Sequence, residues 1–109
     1  MREGDQVFAI VWNVNPFRGD RFAEQWEPAA RAALDFGAAF WAFWRSKDDP
    51  LTFMQIAVFE SKLEFEAYWY SEEISEARAE ASGFFQVPVL PLVYQVLGAG
   101  ELQALTERS

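Results

Sequence analysis

The sequence predicts an α+β fold of the ferredoxin-like kind, with a four-stranded antiparallel sheet and elements in the order βαββαβ. Four strand-like runs are apolar on both faces. Two segments with helical spacing separate the outer pairs of runs, and a short hairpin loop joins the middle pair. Right-handed crossovers then place strands one and three side by side at the centre of the sheet.

The two apolar faces of this sheet also predict a partner. Two helices can cover only one face of a four-stranded sheet, so the other face needs a separate cover. Leaving roughly five large side chains in water would forgo about 1.5–3 kcal/mol for each of them. Exposed patches of that size are rare on soluble monomers. We therefore expect a homodimer in which two sheets pack face to face, with a pocket between helices and sheet.

The first strand is predicted over Val7–Val14. Alternate side chains of a strand point to opposite faces, so Val7, Ala9, Val11 and Asn13 share one face. The side chains of the intervening residues form the other face, and both faces are apolar except for Asn13.

The first helix is predicted from Asp20, as its N-cap, to about Phe36, with Gly37 as its C-terminal stop. Pro28 lies inside this helix and should kink it, because the proline ring displaces the carbonyl one turn earlier. Five apolar residues at helical spacing form its buried stripe: Phe22, Trp26, Ala30, Ala33 and Phe36.

The central hairpin is predicted from two strands, Ala38–Arg45 and Thr52–Phe59, joined by residues 46–50. After it, Ser61 and Glu64 form a capping-box pair that begins the second helix. This helical region continues to about Ser82.

A second start signal at Ser71 predicts a bend or break in this second helical region, and Gly83 ends it. The last strand is predicted over Val89–Leu97, with Pro88 and Pro91 near its start. Because proline cannot donate to a ladder, this strand should begin at an edge or a bulge.

Length and composition narrow the class of protein. The 109 residues fit one domain, 1–109, with a core over about residues 6–97 and a polar C-terminal tail over 98–109. The net charge of −8 argues against binding to nucleic acid or to anionic lipid, since both need a basic face. The polar N-terminal residues and the lack of a long apolar run make the cytoplasm the expected location.

The absence of cysteine and histidine excludes several kinds of chemistry. Thiol catalysis, histidine acid–base catalysis, the usual zinc sites and a histidine-ligated haem all need residues that the chain lacks. The glutamates of the second helical region spread around the helix. We expect a solvated surface there and no metal site.

Three residues are candidates for a site, and each has a simpler interpretation. Asn13 is either a pocket amide that holds a ligand oxygen or a strand-end residue satisfied by solvent or the next turn. Trp69 is either a binding platform or core packing. Arg78 is either a cation at the pocket mouth or a surface partner of a glutamate. Trp69 and Arg78 can share a pocket only if the helix breaks near Ser71, because nine residues separate them.

The order of elements, Asn13 after the first strand, and the segments Val58–Lys62, Phe65–Ser71 and Glu72–Arg78 resemble a known group. This group is the antibiotic-biosynthesis-monooxygenase-like branch of the dimeric α+β-barrel superfamily. The resemblance extends from about Gln6 to Leu97.

This resemblance implies an activity and a set of site residues. Asn13 and Trp69 match the strand-one asparagine and helix-two tryptophan of the family's oxygenases, and Arg78 matches the pocket arginine that its polyketide-oxidising members can use. The haem-degrading members use a histidine, which this chain lacks. The expected site is catalytic Asn13, Trp69 and Arg78, with Phe40 and Tyr68 contacting the substrate and no cofactor or metal.

The function implied is that of a cofactor-independent monooxygenase acting on a small apolar aromatic substrate. The alternative is a non-catalytic dimeric protein of the same fold that binds a ligand or serves an accessory role. A third interpretation is a structural dimer whose pocket its own aromatic side chains fill. The proton acceptor stays open between water, the acidity of the substrate and a carboxylate.

Overall fold

The computed structural model describes residues 3–102. The order of elements confirms the predicted fold class, with the second helical region divided in two. The elements are β1 (Gln6–Asn13), α1 (Gly19–Arg31), a 3₁₀ helix (Ala32–Phe36), β2 (Phe40–Arg45), β3 (Thr52–Phe59), α2 (Lys62–Trp69), α3 (Glu72–Ala81) and β4 (Leu92–Gln95).

The four strands form one antiparallel sheet in the order β2-β3-β1-β4. The two strands predicted to be central, β1 and β3, are central. In the register of the sheet Ala9 lies between Ile56 and Leu92, and Ala42 extends this row on β2. The ferredoxin-like arrangement is therefore present.

One face of the sheet packs against the helices, and aromatic side chains fill most of the space between them. Phe8 stacks on Phe65 with ring centres 4.2 Å apart, and Trp12 packs at 5.0 Å from Trp26. Such pairs stabilise a core beyond the area they bury. The fully buried aromatic residues of the described chain include Phe8, Trp12, Phe22, Trp26 and Tyr68.

The opposite face of the sheet, called here the outer face, is apolar along all four strands. Trp44, Leu92 and Tyr94 on this face are each about half exposed, at 50%, 52% and 55%. The outer face consists of Val7, Ala9, Val11, Phe40, Ala42, Trp44, Met54, Ile56, Val58, Leu92 and Tyr94. Asn13 and Thr52, which pair in the register, form its polar end. The strands are thus apolar on both faces, as the sequence indicates.

The first helix begins one residue before Asp20, so the prediction of Asp20 as its N-cap was wrong. The N-cap is Arg18, with no side-chain capping bond. The Asp20 carboxylate accepts a hydrogen bond from Arg45 of β2 at 2.8 Å and so joins helix to sheet. α1 continues through Pro28, the chain tightens into the 3₁₀ helix, and Gly37 ends it with a left-handed φ of 98°.

The break at Ser71 is confirmed. The hydroxyl oxygen of Ser71 accepts a hydrogen bond from the Ile74 N–H at 3.2 Å, and the hydroxyl donates to the Tyr68 carbonyl at 2.8 Å. One side chain therefore caps the start of α3 and closes the end of α2. The predicted cap at Ser61 is also present, since its oxygen accepts from the Glu64 N–H.

The last strand is shorter than the predicted Val89–Leu97, and its edge carries the expected bulge. β4 pairs with β1 as far as Ala9, and a second short pairing joins Val14 to Phe85. Between these pairings four residues of β1, 10–13, face six residues, 86–91. The last five of these, 87–91, are called here the bulge segment. Its prolines, at positions 88 and 91, cannot donate to the ladder, which explains the lost pairing.

The C-terminal tail lies only partly within the described residues, because 103–109 are outside them. That residues 1–109 form one domain stays a prediction. Across residues 3–102, no helix is long and apolar enough to cross a membrane.

The capping role of Ser71 can be tested by Ser71→Ala. Loss of an N-cap costs about 0.5–2 kcal/mol, so the free energy of unfolding measured in urea should fall by about 1 kcal/mol. Ser71→Asn keeps an acceptor at the N-cap and should retain most of the stability. Equal losses in both variants would show that the cap does not stabilise this break.

Candidate functional site

A cavity of about 380 Å³ lies between α3, the end of β1 and the bulge segment. It is called here the α3 pocket. Trp12 and Trp69 contribute aromatic walls, and Arg78 contributes the positive charge. Phe85, Val87, Val89, Ala79 and two serines complete the lining, so the pocket is mostly apolar with one cation.

The break at Ser71 brings Arg78 against Trp69. The guanidinium carbon of Arg78 lies 4.5 Å from the centre of the Trp69 ring, within the range of a cation–π interaction. Its Nη2 donates to the Trp69 carbonyl at 2.8 Å and to the Ser75 hydroxyl at 3.4 Å. Two of the predicted site residues therefore share one pocket, which an unbroken helix would prevent.

The charge of Arg78 has no carboxylate partner among residues 3–102. The ion pairs there join Arg31 to Glu27 and Arg45 to Asp20, so Arg78 is not a surface partner of a neighbouring glutamate. Its Nε is buried without a hydrogen-bond acceptor. An unpaired cation beside apolar walls makes the α3 pocket a place where a negatively charged oxygen is stabilised.

Trp12 is a pocket residue that sequence reasoning missed. It is fully buried, and its indole N–H has no acceptor within the described part of the chain. The alternation of β1 does assign Trp12 to the helix-facing side with Phe8 and Ile10. No signal in the sequence separates a core tryptophan from one whose edge reaches a pocket.

Asn13 lies on the other side of the sheet from the α3 pocket. Adjacent strand residues point to opposite faces, so Trp12 faces the helices and Asn13 lies at the polar end of the outer face. Its side chain is exposed, and its backbone carbonyl accepts from the Gln86 N–H at 2.9 Å. Within one chain, the structure does not bring Asn13 together with Trp69 and Arg78.

Phe40 also lies outside the α3 pocket. It is on the outer face, 40% exposed, where it lines a groove of about 470 Å³ with residues 99–101. Phe40 could contact only a ligand or partner on that face. Its predicted contact with a substrate stays a prediction.

Tyr68 belongs to a buried hydrogen-bond network that sequence reasoning missed. Its hydroxyl donates to the Ala29 carbonyl at 2.7 Å and accepts from Gln55 Nε2 at 3.0 Å. Gln55 Oε1 accepts from the Trp26 indole N–H at 2.9 Å. Burial is the main cause that raises the pKa of Tyr68 to about 12, so its hydroxyl stays neutral and continues to donate. Tyr68 is not part of the lining of the α3 pocket.

A wider groove of about 490 Å³ runs along α3 and has a different character. Four glutamates and Ala77 line it: Glu72, Glu73, Glu76 and Glu80. Such an open acidic groove is typical of a solvated surface. Within residues 3–102, no group of three or more His, Cys, Asp or Glu residues is placed to hold a metal ion.

Solved structures with the same fold include several monooxygenase-like proteins. A protein of Nitrosomonas europaea provisionally named an antibiotic biosynthesis monooxygenase superposes with a TM-score of 0.79 at 15% identity, over 89% of this chain and 94% of its own. A similarly named protein of Bordetella bronchiseptica gives 0.75 at 18% identity, over 87% and 99%.

A third similar structure is a variant of SnoaB, a cofactor-independent oxygenase of Streptomyces nogalater. It superposes with a TM-score of 0.75 at 11% identity, over 88% of this chain and 96% of its own. No family model matches the sequence, and no curated protein sequence matches it significantly. At these identities the similarities show the fold, which is that of the antibiotic-biosynthesis-monooxygenase-like structures, and the predicted resemblance is confirmed at that level.

The role of Tyr68 can be tested by Tyr68→Phe. The variant leaves Gln55 Nε2 and the Ala29 carbonyl without their partner, which should lower the free energy of unfolding at neutral pH by about 1–3 kcal/mol. Because burial raises the pKa of Tyr68 to about 12, above the ordinary tyrosine value of about 10, the folded wild type binds this proton more tightly than the unfolded chain. Its stabilisation is complete below pH 10 and is lost as the pH rises toward 12.

Urea unfolding at neutral pH and above pH 10 measures both effects, with Tyr94→Phe on the outer face as control. Above pH 10 the wild type and Tyr94→Phe should both lose the stability that the Tyr68 proton contributes. Tyr68→Phe should not show this loss. A wild type whose stability does not change across this pH range would contradict the assignment.

Proposed function

We propose that this protein is a cofactor-independent monooxygenase that oxidises a small apolar aromatic substrate in the α3 pocket. The observation that carries the proposal is the unpaired guanidinium of Arg78, held against the Trp69 ring at the wall of an otherwise apolar cavity. The volume of about 380 Å³ falls within the usual range for small-molecule pockets.

The fold supports the same class of activity. SnoaB is named as a cofactor-independent oxygenase, and the proteins of Nitrosomonas and Bordetella carry provisional monooxygenase names. One fold hosts many functions, so the proposal depends chiefly on the pocket.

The reaction needs a substrate that can ionise at carbon, such as an anthrone-like CH₂ group between aromatic rings. Loss of a proton gives a carbanion whose charge is shared with an enolate oxygen. The carbanion adds to O₂, and the protonated peroxide then loses water to leave a ketone. The balance is R₂CH₂ + O₂ → R₂C=O + H₂O, in which carbon is oxidised and one oxygen atom leaves as water.

The residues of the α3 pocket have distinct parts in this proposal. Arg78 stabilises the negative charge that develops on the enolate oxygen, where a fixed cation lowers the barrier more than it would in water. Trp69 and Phe85 hold the aromatic ring and exclude solvent. The lining contains no carboxylate, so the proton passes to water, driven by the substrate's own acidity.

A non-catalytic ligand-binding protein is the second candidate, and one observation favours it. The lining of the α3 pocket has no side chain suited to accept a proton near neutral pH. Such a pocket suits a protein that only binds an anionic aromatic ligand as well as it suits one that oxidises the ligand.

We also propose that a second copy of this chain covers the outer face. Its apolar residues form continuous rows across all four strands, and the helices cover only the opposite face. A second copy presents the same apolar rows, so the two faces exclude water from each other without any unmatched charge. The homodimer is thus the assembly that removes this patch from water.

The oxygenase proposal predicts that Arg78→Met loses most activity. With purified protein and a panel of anthrone-type and hydroquinone substrates, oxygen uptake should exceed the uncatalysed rate. Loss of the charge should lower kcat/KM by about 10²–10³, the usual effect of removing one oxyanion contact. Arg31→Met removes an exposed arginine of α1 and serves as the matched control.

The same assay separates the alternatives. No acceleration with any substrate would refute the oxygenase proposal and leave the binding protein. Asn13→Ala should keep its activity, because Asn13 lies across the sheet from the α3 pocket. Loss of activity in Asn13→Ala with retention in Arg78→Met would place the chemistry on the outer face.

The dimer proposal predicts that Trp44→Glu weakens association. This residue is half exposed on the outer face, so a charge there is tolerated by one chain and disfavoured between two. Sedimentation should give twice the 12.5 kDa chain mass for the wild type and a lower mass for the variant. Leu63→Glu, on the exposed side of α2, is the matched control and should sediment as the wild type. A monomeric wild type would contradict the proposal.

A further inference from the structure

We infer that the indole N–H of Trp12 and the Nε–H of Arg78 form a paired-donor site for one anionic oxygen of an aromatic ligand. This inference uses the pocket of the proposed function and names the class of ligand it selects. It concerns binding, so it holds for an oxygenase and for a binding protein alike.

Two buried donors without acceptors belong to the same cavity. Within residues 3–102, the buried side-chain nitrogen and oxygen atoms that lack a hydrogen-bond partner are Trp12 Nε1 and Arg78 Nε. Both side chains line the α3 pocket. Buried polar groups are nearly always paired in folded proteins, and an unpaired one costs about 1–3 kcal/mol. Because the described residues supply no acceptor, their meeting in one cavity is what an acceptor carried by a ligand would explain.

A comparison with the neighbouring Trp26 strengthens this point. Trp26 packs against Trp12 with ring centres 5.0 Å apart and is just as deeply buried. Its indole N–H donates to Gln55 Oε1 at 2.9 Å. The same core thus supplies an acceptor for the Trp26 indole and, among the described residues, none for the Trp12 indole.

The charge of the pocket determines which acceptor fits. Arg78 has no carboxylate partner among the described residues, and no acidic residue lines the α3 pocket. A negatively charged oxygen would accept both hydrogen bonds and compensate the guanidinium, and charge-assisted bonds are about twice as strong as neutral ones. A neutral carbonyl oxygen could accept the two hydrogen bonds, but it would leave the positive charge of Arg78 uncompensated.

The apolar walls of the α3 pocket determine which group carries the ionised oxygen. Trp69 and Phe85 offer aromatic surfaces, and the two valines of the bulge segment complete an apolar slot. A planar ring fits such walls, whereas a small inorganic anion would leave them in contact with water. The ligand class is therefore an aromatic ring that bears an ionised oxygen: a phenolate, an enolate or a carboxylate.

Trp12 is then a specificity and positioning residue. Its N–H is directional, while the Arg78 charge acts over a wider range, so Trp12 fixes where the oxygen lies and how the ring is oriented. In an oxygenase this orientation presents the carbon beside the ionised oxygen to O₂.

The test uses 2-naphthoate and its neutral analogue 2-naphthamide as probes of wild-type protein labelled with ¹⁵N at tryptophan. The indole signals of Trp12 and Trp41 are assigned from Trp12→Phe and Trp41→Phe. Naphthoate should move the Trp12 indole proton downfield as it gains an acceptor, and the Trp41 signal should stay in place. Naphthoate should also bind at least about ten-fold more tightly than naphthamide, as expected for a hydrogen bond to a charged group.

Trp12→Phe keeps the apolar bulk and removes the donor. It should weaken naphthoate binding about ten-fold and naphthamide binding by a smaller factor, because a neutral acceptor makes the weaker hydrogen bond, whereas Trp41→Phe should change neither. If Trp12→Phe does not fold, the wild-type shift and the preference for the anion still decide the question. Equal affinities for the two probes, or a Trp12 signal that does not move, would overturn the inference.

This outcome is independent of catalysis, because naphthoate has no oxidisable CH₂ group. Naphthoate binding at Trp12 together with a lack of oxygen uptake would uphold the paired-donor site and refute the oxygenase. Oxygen uptake that depends on Arg78 and is unchanged in Trp12→Phe would uphold the oxygenase and refute the site.

Discussion

The side chain of Gln55 joins the helices to the centre of the sheet. It accepts a hydrogen bond from Trp26 of α1 and donates one to Tyr68 of α2, and the tyrosine hydroxyl continues to the Ala29 carbonyl. A shift of either helix would leave a buried polar group unpaired. These hydrogen bonds therefore fix one arrangement of helices and sheet, which the non-directional contacts between aromatic rings do not specify. Trp69 follows Tyr68 directly, so this network also positions the aromatic wall of the α3 pocket.

The α3 pocket exists where two regular elements are interrupted. The helical region breaks at Ser71 and turns Arg78 back onto Trp69, and the edge of β1 loses its partner along the bulge segment. At its centre the layer between helices and sheet is filled by the protein's own aromatic rings. The interpretation of a completely filled interior therefore holds for the centre of the layer and fails at its end.

Local patterns were sufficient to predict the fold and part of the site. Alternation gave the strands and their two apolar faces, and the start signal at Ser71 gave the break that brings Trp69 and Arg78 together. The same rules could not find Trp12, because its place in the core follows from alternation whereas its lack of an acceptor depends on side chains from other elements. Asn13 stood out as polar in an apolar run, yet the period of two places it across the sheet from the pocket.

The bulge segment shapes the wall of the α3 pocket but lies outside the strands that define the fold. Val87 and Val89 form part of the pocket wall but lie outside the strands, so their replacement leaves the ladder between β1 and β4 intact. Over evolutionary time such a segment can exchange residues, or lengthen, under little structural constraint. Descendants of one ancestral scaffold can thus diverge in the molecules they accept while they still superpose closely, even when few of their residues remain identical.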